Sequence, residues 1–308
     1  LLLYLSAYLP KYGSWQLRVL LPNLLKGMKN MHDTQKKIAV INDLSGYGRC
    51  SLTVAIPILS AMGIQTCPIP TAILSNHTGF PVFFMDDYTD KMREYADKWT
   101  KLGLTFDGIS TGFLGSLEQI AIVTEIIESL NGENTMIFVD PVMGDHGVRY
   151  QTYTEEMCEE MKLLVGLADV VMPNVTESCI LTDIPYKESG WTRKEILNMA
   201  MMLRLMGADS VVITGIREGS FYTNAVLERG SNEVEFVRTK SGGAQRPGTG
   251  DVFSSVVSGA VMNGRPLREA VEMAAKFVKE CIIRSDIREI PCAEGVCFEE
   301  LLGRLTKK

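Results

Sequence analysis

Histidine and paired cysteine are what this chain has least of. Its three histidines, His32, His77 and His146, include no pair at i, i+4 spacing, which excludes the usual helical zinc arrangement. The seven cysteines, at positions 50, 67, 158, 179, 281, 292 and 297, show no C-x-x-C spacing, and their odd number does not suit a complete disulfide framework. They read as reduced, mostly buried thiols of a cytoplasmic protein. Basic residues are not in excess: 31 Lys and Arg stand against 37 Asp and Glu, a net charge of -6. With no basic stripe to neutralise a phosphate backbone, no nucleic-acid partner is expected. Small anionic ligands stay open, because N–H groups at a helix start bind phosphate without surplus Lys or Arg.

Long apolar runs are missing too. Residues 1–30 are apolar, but Pro10, Lys11, Arg18 and Pro22 interrupt them well short of the ~20 residues that a membrane span needs. No basic region with a clean small-residue cleavage site marks a signal peptide. Residues 1–35 are therefore expected to be an N-terminal extension that is not part of the fold, with an interfacial amphipathic anchor as the sharper alternative and no membrane partner otherwise. The domain is expected to occupy 36–308.

Two nucleotide-binding signatures fail. Gly46-Tyr47-Gly48-Arg49-Cys50-Ser51 faintly resembles the dinucleotide fingerprint, but it ends in Ser, and residues 64–78 contain no acid to take a ribose. A phosphate-cradling P-loop needs G-x-x-x-x-G-K-[ST]; here Gly243 to Gly248 is followed by Thr249-Gly250.

From Lys37 onward, short β-rich apolar runs alternate with segments of helical period, the signature of βαβ units and a mostly parallel sheet. Strands are expected at 37–42, 64–69, 106–110, 135–140, 169–172 and 210–214. Helices are expected near 51–62, 87–101, 116–130, 153–166, 192–206, 250–262 and 266–283, and an antiparallel hairpin over 221–239. Ligands of such sheets bind beyond the carboxyl ends of the strands. Asp43, Asp140, Asn174, Thr214 and, after the last loop, Asp251 all fall at such ends.

Ser241 to Asp251 is a glycine-rich loop running into a helical pattern. Its glycines let successive N–H groups of Gly248, Thr249 and Gly250 face one concavity, where the helix N-terminus adds partial positive charge. Such a place stabilises the charge on a transferring phosphoryl group, and Asp251 could accept the proton of an attacking hydroxyl as general base. Read alone, Asp251 is an ordinary N-cap. Asp140 at a strand end and Glu177, one helical turn beyond Asn174, could organise a magnesium ion through water; singly, each is equally a cap or a solvated acid.

Together these motifs are specific. Asn174-x-x-Glu177 with Gly248-Thr249-Gly250-Asp251 resembles the ribokinase superfamily, and Ser75-Asn76-His77-Thr78, Thr111 to Ser116 and Asp140-Pro141-Val142-Met143-Gly144 narrow the resemblance to the pyridoxal kinases. It covers roughly residues 37–285 and implies a three-layer α/β fold, a mostly parallel central sheet with helices on both faces. It further implies ATP-dependent phosphorylation of the 5′-hydroxymethyl group of a B6 vitamer, with Asp251 as base and Gly248, Thr249 and Gly250 as the anion hole. Asn174, Thr214, Gly248 and Gly250 would contact ATP, Asp140 and Glu177 would organise Mg2+, and the family admits a monovalent cation and a homodimer. Asp43, Thr78 and Phe113 would line the vitamer pocket. Asp43 departs from the serine that many pyridoxal kinases carry there, which leaves the preferred vitamer open. His77, between Asn76 and Thr78, reads as a structural hydrogen-bonding residue. The glycine-rich start also resembles the hydroxymethylpyrimidine kinases, the alternative substrate class; a non-catalytic small-molecule sensor is the alternative of another class. Loops 241–250 and 144–152 are the lid candidates.

Overall fold

The computed structural model describes residues 35–306. The segment 1–34, the bulk of the expected extension, lies outside them.

Strand β1 (Lys37–Tyr47) shows how the sequence pattern becomes layers. Its apolar side chains alternate: Ala39 and Ile41 join one core, Ile38 and Val40 the other. Successive strand residues point to opposite faces, so an unbroken apolar run means a strand covered on both sides. The same division recurs in β5 (Met136–Val139), where Ile137 and Val139 face the first core and Phe138 the second.

The order is β1, α1 (Ser51–Ala61), β2 (Gln65–Asn76), β3 (Met85–Asp87), α2 (Thr89–Lys101), β4 (Gly108–Thr111), α3 (Leu117–Leu130), β5, then a small hairpin β6 (Gly144–Asp145) and β7 (Val148–Arg149). There follow α4 (Glu155–Gly166), β8 (Val170–Val171), α5 (Val175–Thr182), α6 (Arg193–Leu205), β9 (Ser210–Glu218), β10 (Phe221–Leu227), β11 (Glu235–Lys240), α7 (Thr249–Met262) and α8 (Leu267–Ile287). Helices α2 to α6 pack in the first core and α1, α7 and α8 in the second. The nine-stranded sheet runs β11-β10-β9-β8-β5-β4-β1-β2-β3. Pairings from β9 through β2 are parallel, while β3, β10 and β11 add antiparallel edges. This is the expected three-layer fold. Among the described residues no helix is long and apolar enough to cross a membrane.

The expected helices and parallel strands are present, with differences in length that matter. β1 and β2 run on as a pair to Tyr47 and Asn76, past the end of β4 at Thr111, so Asp43 lies inside β1 and Ser75-Asn76 close β2. The chain turns only after them, at Thr78-Gly79. Local pattern did not reveal this because the extension is held by partner strands. β6 and β7 form a two-residue hairpin whose central His146 and Gly147 have φ of 51° and 76°, the left-handed pair that a type I′ turn requires. The sheet switches direction at β1, with β2 on one side and β4 on the other. A crevice opens at such a point beyond the strand ends.

A candidate kinase active site at the strand ends

Gly248 fixes where α7 begins. As N-cap it has φ 74°, and a Cβ on it would fall 1.8 Å from the Arg49 carbonyl oxygen. No residue but glycine fits both conditions. Thr249 and Gly250 then open the helix, and their N–H groups have no partner within it. A side chain on Gly250 would meet nothing within 4 Å, so this helix end is open on that side.

Asp251 is thereby the third residue of the helix and not its cap, a correction to the N-cap reading of this residue alone. Its carboxylate accepts the Asn42 side-chain N–H at 3.2 Å and backbone N–H bonds from Ser51 and from itself. Ser51 has φ 52°, a left-handed conformation unusual for serine and of the kind that functional sites retain. In it the backbone N–H reaches Asp251 and the hydroxyl reaches Asp43. Two helix N-termini, those of α1 and α7, thus meet at one carboxylate. Burial pushes the Asp251 pKa up to about 6 against these bonds, with Asp43 adding to the rise.

Asp140 follows β5. Burial first, then the Asp251 charge, pushes its carboxyl up to about 7 against a hydrogen bond from Ser254. Glu177, 3% exposed, is raised well above the usual carboxylate range by burial and by Asp140. Its oxygens accept the backbone N–H groups of Asn174 at 2.7 Å and Met143 at 3.1 Å. Asn174 in turn caps α5 by accepting from Glu177 N–H at 2.9 Å, a capping box, and donates to the Gly144 carbonyl at 2.8 Å. The same two residues that could serve a ligand also start a helix of eight residues. Thr214 bridges to Asn174, its N–H donating to the Pro173 carbonyl at 2.9 Å, and is half-buried at the sheet edge.

The structure therefore brings Asp140, Asn174, Glu177, Thr214 and Gly248 to Asp251 to one edge of the sheet. Phe113 joins them beyond β4, its N–H bonded to the Asn42 side-chain oxygen. Thr78 is exposed in the turn beyond β2. Asp43 is 6% exposed, and its carboxylate accepts the hydroxyls of Ser45 and Ser51. His77 accepts Gly79 N–H at Nδ1 and meets the Ala293 carbonyl through Nε2 at 2.7 Å, which assigns the proton to Nε2. It stacks near Phe80 with ring centroids 4.6 Å apart, as a structural residue should. The two lid candidates touch: Gln245 donates to the Asp145 carboxylate at 2.9 Å.

Sequence reasoning missed Asn42, Ser51 and Arg246. Arg246 is 7% exposed and binds the carbonyls of Ile290, Pro291 and Gly295 and the Asp286 carboxylate, tying the glycine-rich loop to the chain after α8. The signal for Asn42 was a polar residue, next to Asp43, closing the apolar run of β1, since buried polar side chains are there to make bonds. Nothing local marked Ser51 or Arg246. Cys50 is no nucleophile, because burial and the charges of Asp251 and Asp43 push its thiol up to about 12.

A family profile described as phosphomethylpyrimidine kinase matches residues 59–290. A crystal structure with pyridoxal of a candidate phosphomethylpyrimidine kinase from Bacteroides thetaiotaomicron is 41% identical, with a TM-score of 0.85 over 88% of this chain and 96% of that one. The pyridoxal kinase of Lactobacillus plantarum is 27% identical, with a TM-score of 0.81 over 88% and 96%. A candidate pyridoxal kinase of Caenorhabditis elegans is 32% identical over 73% of this chain and 74% of its own.

The crowding of acids has a measurable cost. Asp140 has its pKa raised in the folded state, so the fold binds more protons than the unfolded chain between about pH 4 and 7, and stability falls as pH rises through that window. Asp140→Asn is expected to raise the melting temperature of chelator-treated protein at pH 8 by a few degrees and to change it little at pH 4. A lower melting temperature at pH 8 would show that Asp140 is stabilised by its surroundings.

Proposed function

The chain belongs to the phosphomethylpyrimidine kinase family and is an enzyme of the kinase class, and from that premise we propose that it transfers the γ-phosphoryl group of ATP to the 5′-hydroxymethyl group of a B6 vitamer. The observation that carries the choice of acceptor is the relative crystallised with pyridoxal, 41% identical across most of this chain. Five strand spacings of ~4.8 Å separate β9 from β2, roughly 24 Å along the sheet edge, room for a nucleotide and an acceptor end to end with Asp251 between them. In this reading Asn174 and Thr214 serve the nucleotide, and Thr78, Phe113 and Asp43 the vitamer. Asp43 reaches the ring by exchanging a serine hydroxyl.

Asp251 takes the proton of the acceptor hydroxyl as that oxygen attacks the γ-phosphorus. The free N–H groups of Thr249 and Gly250, with the α7 dipole, stabilise the charge on the transferring group. The Asp251 charge raises Asp140, and Asp140 raises Glu177; among the described residues no three acids stand close enough to ligate one ion directly, so Mg2+ would be held there through its waters, as that ion keeps several and takes one or two carboxylates beside phosphate oxygens. The cation would neutralise phosphate charge there. The Asp140 and Glu177 carboxylates would hold it through its waters, and two backbone N–H bonds fix Glu177 in place. A monovalent cation remains part of the proposal by family resemblance alone.

Hydroxymethylpyrimidine is the second reading, favoured by the description of the family profile. A non-catalytic sensor is set aside because the chain is a kinase. We take 36–308 as the kinase domain, acting in the cytoplasm, where seven unpaired cysteines are at home. We also propose a homodimer, supported by the exposed Val82, Phe83 and Phe84 beside β3.

ADP release is expected with pyridoxal, pyridoxamine or pyridoxine, from the full chain and equally from one starting at Met31; turnover of hydroxymethylpyrimidine alone would transfer the assignment to the second reading. Loss of folding in the shorter chain would place residues 1–30 in the domain. Sedimentation of the same samples at micromolar concentration should give a dimer, and a monomer would refute that part. Asp251→Asn is expected to lower kcat by at least ~10²-fold with ATP binding retained, and near-normal turnover would remove Asp251 as the base. Because a base must be unprotonated, kcat/KM of the intact enzyme should fall as pH drops through about 6; a profile flat down to pH 5 would contradict the assignment.

A further inference from the structure

Asn42 is the side chain through which the acceptor side of the site and Asp251 touch. It is 6% exposed at the point where β1 leaves the body of the sheet. Its Oδ1 accepts the backbone N–H groups of Asp43 and of Phe113, both at 2.9 Å, and its Nδ2 donates to Asp251 Oδ1 at 3.2 Å. Three of the four hydrogen-bonding positions of the amide are therefore engaged, on three different segments. Only a carboxamide supplies an acceptor for two N–H groups and a donor for a carboxylate at the same place. Aspartate would turn a second negative oxygen toward Asp251, and leucine would orphan two buried N–H groups.

Gly112 makes this possible. It follows β4, and its N–H bonds the Ile41 carbonyl at 2.9 Å. A Cβ on it would lie 2.4 Å from Asn42 Nδ2, 2.5 Å from Cγ and 2.7 Å from Oδ1. The amide thus lies flat against the backbone that carries Phe113, and any side chain at 112 would push it away.

We propose that Asn42 is a positioning residue for phosphoryl transfer, holding the Asp251 carboxylate and the Phe113 backbone in one register so that base and acceptor pocket keep a fixed separation. The inference rests on Asp251 being the base. Asn42 does not touch the reacting atoms; it acts through the base and through the backbone of the acceptor pocket, at a site where a displacement of about 1 Å can lower the rate by ~10²-fold.

The test uses the full chain, ATP, Mg2+ and the best acceptor of the panel. Asn42→Asp keeps the size and both accepted N–H bonds, but replaces the donor to Asp251 with a negative oxygen that repels it. It is expected to lower kcat at least tenfold with little change in the KM of the acceptor. Asn42→Ala also frees Phe113 and should lower kcat and raise the acceptor KM together, while the KM for ATP stays within about twofold. Gly112→Ala, which removes no polar group, should reproduce the kcat loss of Asn42→Ala. The deciding measurement is the pair Asn42→Asp and Asp251→Ala: the double variant should turn over as fast as Asp251→Ala alone. If Asn42→Asp keeps normal kcat, or slows the Asp251→Ala enzyme as much as the intact one, the positioning role is overturned. An Asp251→Ala enzyme as active as the parent would defeat the base reading itself, and the proposal with it, and that result is visible in the single variant.

Discussion

The contact between Gly248 and the Arg49 carbonyl sets the geometry of everything at the carboxyl edge of the sheet. Because no Cβ fits between them, the turn after β1 and the loop before α7 meet backbone to backbone. That approach brings the first residue of α1, Ser51, and the third residue of α7, Asp251, within hydrogen-bonding reach. The chain after α8 reinforces it from the other side. Gly295, with φ 79°, packs against Arg49 and Pro247, Arg49 N–H bonds the Glu294 carbonyl, and Arg246 binds three carbonyls of 290–295. The unpartnered Nε of Arg246 is one buried polar atom left unsatisfied in exchange for four bonds from the other end of the guanidinium. A segment remote in sequence thus decides where a helix starts, and with it where two free N–H groups and one carboxylate face the crevice.

That arrangement is held against electrostatic cost. Asp43 raises the proton affinity of Asp251, Asp251 that of Asp140, and Asp140 that of Glu177, while burial raises Asp43 itself against two serine hydroxyls and the weaker pull of His77. Burying charge without a partner is unfavourable, and proteins retain such clusters where function uses the charge. What offsets the cost is a set of oriented dipoles: the N-termini of α1 and α7, the Asn42 amide, and the backbone N–H groups on Glu177. These donors are fixed before any ligand arrives, so they need no reorganisation when phosphoryl charge develops.

Much of the fold was legible in sequence because its strands are covered on both faces. β1 buries every apolar residue from Ile38 to Ile41 and reads there as a continuous run, although the strand itself goes on to Tyr47. The edge features were not legible. β2 continues through Ser75 and Asn76 because β1 and β3 pair with it, and nothing local to those polar residues says so. α5 has eight residues, too short for periodicity to declare it, whereas β8, though only two residues long, falls inside the strand expected at 169–172. The site divides the same way. Asp140 and the Asn174-x-x-Glu177 pair stand at strand ends, Asp251 follows a glycine-rich loop at a helix start, and all could be read from spacing, whereas Ser51 owes its left-handed backbone to packing, and Asn42 its importance to a glycine that lies 70 residues away in sequence.

Glu177 shows why residue type and position leave a role underdetermined until bonds are known. Its spacing from Asn174 serves a capping box and a metal-organising acid equally well. In the folded chain the first description holds and leaves room for the second on the same atoms: each oxygen accepts one backbone N–H, and each keeps a further lone pair. The cap is what makes the second role chemically useful. A carboxylate free to rotate would pair with solvent or turn from its neighbours, but one clamped between the start of α5 and the backbone of Met143 presents a fixed charge toward Asp140. Helix initiation and the proposed cation organisation therefore would not compete here; the first supplies the rigidity that the second would require.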